Sequence, residues 1–472
     1  MKKDSWLSLL ATVLMLILLL ACSRETVVLI DNATPDTEMT LRCTLPVDGA
    51  YPLAVRDTVS GQNTLEFRFR TPRPAFTSIQ DLKALGNIVY FPVEPGRTYR
   101  LSYDGSGFFF AGEGQEAQRL YAALPVYFHP QIPARNYAGE PSITAVKSTL
   151  EGIAAAETAP FDSLFKAKEI SAGLHDLIAA DREAYSRLIL AWVGVWHSSG
   201  LNLDEETLEA AYGGLDLNSD LTMATSAFYD LVNTYASSCL EKRTDEVMPL
   251  LEDGLLNTLF IDEYKKMLTD KRLEAATAYQ IYSAAIQKEY EKELLTLYDD
   301  FAGTWPRSPY LAALEPEIEE IRAYYADRPA DPDIVFLEDT DGIGSLSELL
   351  SRFAGKKVYI DVWATWCGPC KDEFAYAPRL QELLKETGYE MLYISVDNAR
   401  DTEKWKEMIA FYGLKGHHVL AGEDFLKDLY RLYGENGSMS IPWNMIIDSQ
   451  GDIVLLHAPR PSDYDSLKAA LE

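Results

Sequence analysis

Cys367 and Cys370 are the residues whose type and spacing point most directly to chemistry. They flank Gly368 and Pro369, directly after an apolar, β-branched and aromatic run at 358–363. Such a run reads as a buried strand. Residues 371–385 then follow a helical pattern. Paired cysteines between a strand and a helix are placed for redox work. Cys367 falls at the helix N-terminus, where unpartnered N–H groups and the positive dipole end favour a thiolate. Pro369 suits the first turn, because its missing N–H has no partner there. Cys370 comes about one turn on, within reach of the Cys367 sulfur. The competing use is half of a zinc site, which needs two further ligands at similar spacing. The other cysteines are Cys22, Cys43 and Cys239, and they form no second pair of this kind. His417 and His418 read as exposed loop residues rather than as the missing ligands. Dithiol exchange itself calls for neither cofactor nor metal.

The elements that must position this pair lie at 331–472. Residues 328–333, Arg-Pro-Ala-Asp-Pro-Asp, break a helix and read as a boundary. Beyond it, helices are expected at 345–353, 371–385, 402–412, 425–433 and 462–471. Strands are expected at 358–363, 391–396 and 418–420. A hairpin is expected from 444–448 and 453–457, turning at Gln450-Gly451. Alternating strands and helices imply an α/β sheet covered on both faces, and the hairpin makes that sheet mixed.

Trp366-Cys367-Gly368-Pro369-Cys370, after a strand with Asp361 six residues before the first cysteine, resembles thioredoxin. The wider pattern is similar to the TlpA-like envelope thiol-disulfide oxidoreductases. It includes Cys370-Lys371-Asp372-Glu373-Phe374, Ile441-Pro442, and the strand-turn-strand that follows. The resemblance implies a thioredoxin-like fold, with Glu373 as the family's active-site glutamate and Pro442 as its cis-proline. Two departures stand out. The family's kink-forming proline position is occupied by Ala375, with the nearest proline at Pro378. The lysine that partners the buried acid is replaced by Tyr393. The implied mechanism starts with attack by Cys367 on a substrate disulfide and resolution by Cys370. Asp361, disfavoured as a charge if buried, would take the Cys370 proton, and Glu373 would do similar work nearer the surface. The Ile441 backbone before Pro442 would pair with an extended substrate. Trp366 would shield Cys367, Trp363 belongs to the core, and Trp443 either lines the groove or packs. Gly-Pro between the cysteines resembles reducing members, so electrons would come from a membrane thiol donor. Implied substrates are disulfide-containing proteins, such as oxidised envelope proteins or apocytochrome c. A peroxidase is disfavoured, since a cysteine pair suits dithiol exchange better.

The rest of the chain sets the context. At 472 residues, two or three domains are expected. A net charge of −29 speaks against nucleic acid and anionic membrane surfaces as partners. Lys2 and Lys3, an apolar run and Leu19-Leu20-Ala21-Cys22 make 1–21 a targeting segment. It resembles a lipoprotein signal peptide, with Cys22 lipidated and the chain held on an envelope membrane, facing the periplasm; outer-membrane sorting is the working guess. Residues 22–112 read as a β-sandwich-like domain. Residues 65–70 alternate apolar and charged, and 88–93 and 99–103 are expected to pair around Glu94-Pro95-Gly96-Arg97. This part loosely resembles the small β-domain found before thioredoxin domains in Bacteroidetes-like envelope proteins. Phe108-Phe109-Phe110 reads as packing. Residues 113–330 read as α-helical, with apolar spacing at 221–239 and 273–298 and a stripe of Tyr279, Tyr282, Ile286 and Tyr290. Pro316 suits a helical first turn. The glutamates around it read as a solvated face, with Ile318 and Ile321 turned inward. His197 reads as structural or exposed. Cys43 and Cys239 read as buried free thiols, with a mutual disulfide left open. The fold class is therefore multidomain: β-sandwich, helical middle, thioredoxin-like α/β. The activity the resemblance implies is that of a protein-disulfide reductase. A binding or scaffold lipoprotein, whose cysteine pair senses or traps a partner, is the second hypothesis.

Overall fold

The computed structural model describes residues 25–34, 38–47, 50–84, 86–125, 129–198, 200–340, 342–434 and 439–472. The segment expected to be a targeting signal, 1–21, and Cys22 lie outside the described residues. The chain divides into two compact units. One comprises the described residues up to Ser283 together with Glu293–Ile318; the other comprises Ala284–Lys292 and Glu319–Glu472.

The first unit opens with β1 (Thr26–Asn32), β2 (Met39–Val47), β3 (Ala50–Gly61), β4 (Leu65–Phe69), β5 (Ala75–Asp81), β6 (Ile88–Val93), β7 (Thr98–Tyr103) and β8 (Phe108–Phe110). They form two sheets, ordered β4-β1-β7-β8 and β3-β2-β5-β6. In β4, Leu65, Phe67 and Phe69 are buried while Glu66 and Arg68 are exposed, the alternation of a strand with one wet face. Inward residues of both sheets, among them Val28, Phe67, Leu41 and Phe91, meet in one apolar cluster. Phe108 and Phe110 pack against it, and Phe109 points outward. The expected pairing of 88–93 with 99–103 does not occur. β6 pairs with β5, and β7 lies parallel to β1 in the other sheet. Gly96 has the positive φ of 72° that the turn requires. The turn is fastened to β1 instead: Gly96 N–H donates to the Thr26 hydroxyl, which donates to the Glu94 carbonyl.

Helices fill the rest of this unit, with Ile143–Lys166 and Ala172–Ser198 packed on each other. The expected helix over 221–239 is divided into Asp220–Met223 and Phe228–Glu241. Ser226 in the gap gives its N–H and its hydroxyl to the buried carboxylate of Asp181, each at 2.7 Å, instead of to a helical ladder. The expected helix over 273–298 is divided too, into Asp270–Ala285 and Glu293–Thr304. Tyr279 stacks on Tyr229, but Tyr290 leaves the stripe and packs in the second unit. Pro316 sits inside helix Leu311–Tyr324, not at its start. The start is set upstream, where the Ser308 hydroxyl accepts the Tyr310 N–H and the Tyr310 carbonyl accepts that of Leu314. Ile318 and Ile321 are buried. Cys43 is a buried free thiol; Cys239 is also free but only half-buried, because its helix face is not fully covered.

The second unit is built on one mixed sheet of β9 (Ile334–Phe336), β10 (Lys357–Trp363), β11 (Tyr389–Ser395), β12 (Gly416–Leu420), β13 (Trp443–Ile447) and β14 (Ile453–Leu455). The order is β14-β13-β10-β11-β12-β9; β9 to β12 run parallel, and β13 and β14 are antiparallel additions. β10 is central and buried along nearly all its length, as its apolar run predicts. Its residues alternate between faces. Val358, Ile360 and Val362 join a cluster with Leu346 and Phe425, while Trp363 meets Phe374 on the other face. The expected helix over 371–385 is in three pieces: Gly368–Glu373, a 3-10 turn Phe374–Tyr376, and Ala377–Thr387. Pro378, at the start of the third piece, cannot continue a ladder from the first. β12 contains the expected strand 418–420 and begins earlier, so His417 and His418 are both strand residues and not exposed loop residues. His418 is fully buried, stacked on Tyr393, and burial drops its pKa to about 4.

Candidate active site

The redox motif springs from the carboxyl end of β10. Cys367 is the N-cap of the six-residue helix Gly368–Glu373, with an extended backbone and its sulfur accepting the Cys370 N–H at 3.2 Å. Pro369 occupies the first turn, where no N–H is missed. The two cysteines form a disulfide across a Cα–Cα distance of 5.3 Å. Cys370 is wholly buried, while Cys367 keeps a small exposed surface, so of the two sulfurs Cys367 is the more accessible. Trp366 beside it is 58% exposed, while Trp363 is core. Trp443 is buried and donates its indole N–H to the Leu456 carbonyl, so it packs rather than lines a surface.

Asp361 lies in the middle of β10, opposite Tyr393 of β11 and Asn444 of β13. It is 2% exposed. Burial pushes its pKa up to about 7; the nearby Glu373 carboxylate adds to the rise, while Asn444 and Arg460 oppose it. Tyr393 brings no cation to the position of the absent lysine: its phenol is itself buried, and Asp361 lifts its pKa further. Glu373 is buried rather than near the surface, because Ser462 covers it: its carboxylate accepts the Ser462 N–H at 2.9 Å and hydroxyl at 2.8 Å. Asp361 and Glu373 are thus two neighbouring buried carboxylates, an arrangement in which one is driven toward its neutral form at neutral pH.

The Ile441–Pro442 bond is cis. Because Trp443 stands opposite Val362, this bond sits beside the strand end from which the cysteine loop leaves. Ile441 keeps part of its surface exposed. One residue set escaped the sequence reading. The buried Asp397 carboxylate accepts the Thr365 N–H at 2.9 Å, the Thr365 hydroxyl at 2.8 Å and the Ser395 hydroxyl at 2.7 Å. These bonds hold the loop directly before Trp366 and Cys367. The available signal was an acid just past β11, at the carboxyl edge of parallel strands, where sites of such sheets gather. Among the described residues no group of three or more His, Cys, Asp or Glu is arranged to hold a metal ion.

Residues 326–471 match the family model described as Redoxin. The thiol-disulfide oxidoreductase ResA of Geobacillus kaustophilus is 30% identical over 105 residues, 22% of this chain and 55% of that protein. ResA of Bacillus subtilis is 29% identical over 118 residues, 25% of this chain and 60% of that protein. The chain thus spans little more than half the length of these relatives. The thioredoxin domain of a thiol-disulfide oxidoreductase from Bacteroides vulgatus is 27% identical, with a TM-score of 0.22, over 26% of this chain and 81% of that one. By its Redoxin match the C-terminal region is a thioredoxin-like domain.

Proposed function

We propose that the protein is an envelope thiol-disulfide oxidoreductase that reduces disulfides of protein substrates. The observation that carries this reading is Cys367 at a helix N-cap, its sulfur receiving a backbone N–H and bonded to Cys370. In the reduced protein, Cys367 thiolate attacks one sulfur of a substrate disulfide. That S–S bond breaks, a mixed disulfide forms, and the other substrate sulfur leaves as a thiolate that takes a proton from water. Cys370 then loses its proton to Asp361 and attacks the Cys367 sulfur, and the second substrate thiolate leaves. The substrate gains two electrons and the cysteine pair loses them. A membrane dithiol donor restores the pair. Asp361, with its pKa near neutrality, is suited to accept that proton and pass it on. Ile441 offers backbone groups to an extended substrate, and Trp366 offers an exposed apolar plate.

The relatives named ResA suggest an extracytoplasmic setting. We read 1–21 as a signal peptide, Cys22 as the lipid anchor, 22–112 and 113–330 as β and helical domains, and 331–472 as the catalytic domain. Cytochrome c maturation or envelope redox balance is the suggested setting. Among the described residues no helix is long and apolar enough to cross a membrane. The test is insulin-disulfide reduction by the chain lacking 1–21, with dithiothreitol as donor. Activity lost in Cys367→Ser, and mixed disulfides accumulated by Cys370→Ala, are expected. Wild-type protein that leaves insulin oxidised, while still binding partners without either cysteine, would replace catalysis by a scaffold role.

A further inference from the structure

Lys371 follows Cys370 on the first turn of the redox helix. A lysine beside an active site ordinarily reaches into solvent; this one has a side chain with no exposed surface. Its ammonium donates to the carbonyls of Gln287 and Lys288, each at 3.0 Å, and to Glu289 Oε1 at 3.2 Å. An ammonium has three N–H groups, and here each has an acceptor. That saturation is what a buried cation requires. Burial still pushes the Lys371 pKa down, and Glu289 works against the fall. Lys404 also binds Glu289, and Lys288 lies 3.9 Å from Asp372 and 3.8 Å from Glu320, so the contact extends along the helix.

The receiving segment is part of the same compact unit, yet it stands 82 to 84 residues upstream of Lys371 and outside the Redoxin match. Its backbone is held in a form that side chains disfavour: Lys288 and Tyr290 both have φ of 55°. Such conformations persist where the surroundings over-determine them. Tyr290 supplies that constraint. It stacks on Tyr324 at 4.4 Å, and its hydroxyl meets Glu320 at 2.7 Å and Tyr412 at 2.5 Å. The other end of the clamp is the catalytic turn itself. The Lys371 N–H donates to the Cys367 carbonyl at 3.2 Å. The redox helix is only six residues long, so its own ladder does little to hold that turn.

We infer that Lys371 is a positioning residue for Cys367 and that residues 287–290 are its receptor, an upstream part of the thiol-disulfide site. The inference rests on the dithiol chemistry proposed above. The clamp keeps the Cys370 N–H aimed at the Cys367 sulfur, which stabilises the thiolate and with it the reduced pair. Without the clamp the turn relaxes and the disulfide gains. The test uses the full chain lacking only 1–21, as wild type, Lys371→Met and Glu289→Gln. Three quantities are measured: the pH profile of iodoacetamide alkylation at Cys367, the equilibrium constant for disulfide formation against glutathione, and Tm in both redox states. Lys371→Met is expected to move the alkylation midpoint up by about half a pH unit and to raise the equilibrium constant about threefold, the size of a helix-terminus effect. Glu289→Gln, which keeps both carbonyl acceptors, is expected to move both the same way by less, and it carries the test if Lys371→Met does not fold. A lower Tm with the midpoint and equilibrium constant unchanged makes Lys371 a packing residue and overturns the inference. A wild-type Cys367 that resists alkylation throughout overturns the dithiol reading instead.

Discussion

Replacing Asp361 by Asn should stabilise the protein, and only above acid pH. Asp361 is buried, faces no cation in β11 or β13, and has Glu373 nearby. Its pKa in the folded chain is about 7 against 3.8 for the free side chain. That gap corresponds to about 4 kcal/mol of destabilisation once the carboxylate is ionised in both states. The sign follows from the direction of the rise. Because the folded form holds its proton more tightly, the site's contribution is complete below pH 3.8 and is lost as pH climbs through 7. Between pH 5 and pH 8 the wild type should lose about 2–3 kcal/mol from this group. Asn has nearly the same shape and carries no charge, so that loss should vanish in the variant. Urea unfolding of the oxidised protein, followed by near-ultraviolet circular dichroism at pH 5 and 8, measures the difference between the two pH dependences. If wild type and Asp361→Asn lose the same stability between these pH values, the carboxylate is not held neutral by burial. Its assignment as the Cys370 proton acceptor would then fail as well.

Glu373→Gln removes the charge that helps to raise Asp361, so the pH midpoint of the resolving step should fall; stopped-flow oxidation of the reduced pair reads it. Asp397→Ala strips three donors of their buried acceptor and should cost about 3 kcal/mol or more, with a slower attack by Cys367, measured by urea unfolding and insulin turnover. Trp366→Ala should change stability by no more than about 0.5 kcal/mol, because the ring is mostly exposed, while raising KM for a protein substrate.

The parts legible in the sequence were those fixed by local pattern. The β10 run and the cysteine pair at a helix start follow from neighbouring residues, and the helix over 402–412 matches Thr402–Tyr412; the cis Ile441–Pro442 bond was indicated only by the family resemblance. What was not legible depended on distant partners. The stripe through Tyr290 has helical spacing, yet stacking on Tyr324 draws the tyrosine away. Residues 88–93 and 99–103 look like a hairpin, yet β1 competes for the second strand. His418 is polar, yet β12 buries it against Tyr393. Glu373 reads as a surface glutamate until Ser462, 89 residues on, closes over it.

The reach of Lys371 to residues 287–289 bears on how this chain may be cut or recombined. A fragment begun where the Redoxin match starts, at 326, would keep the cysteines, Asp361 and the cis-proline. It would leave the Lys371 ammonium stripped of its three acceptors, to be hydrated by water instead. A chimera that grafted 326–471 onto another leader would inherit the same loss. The transplantable piece of this protein is therefore discontinuous, and its second fragment is nine residues long, Ala284–Lys292.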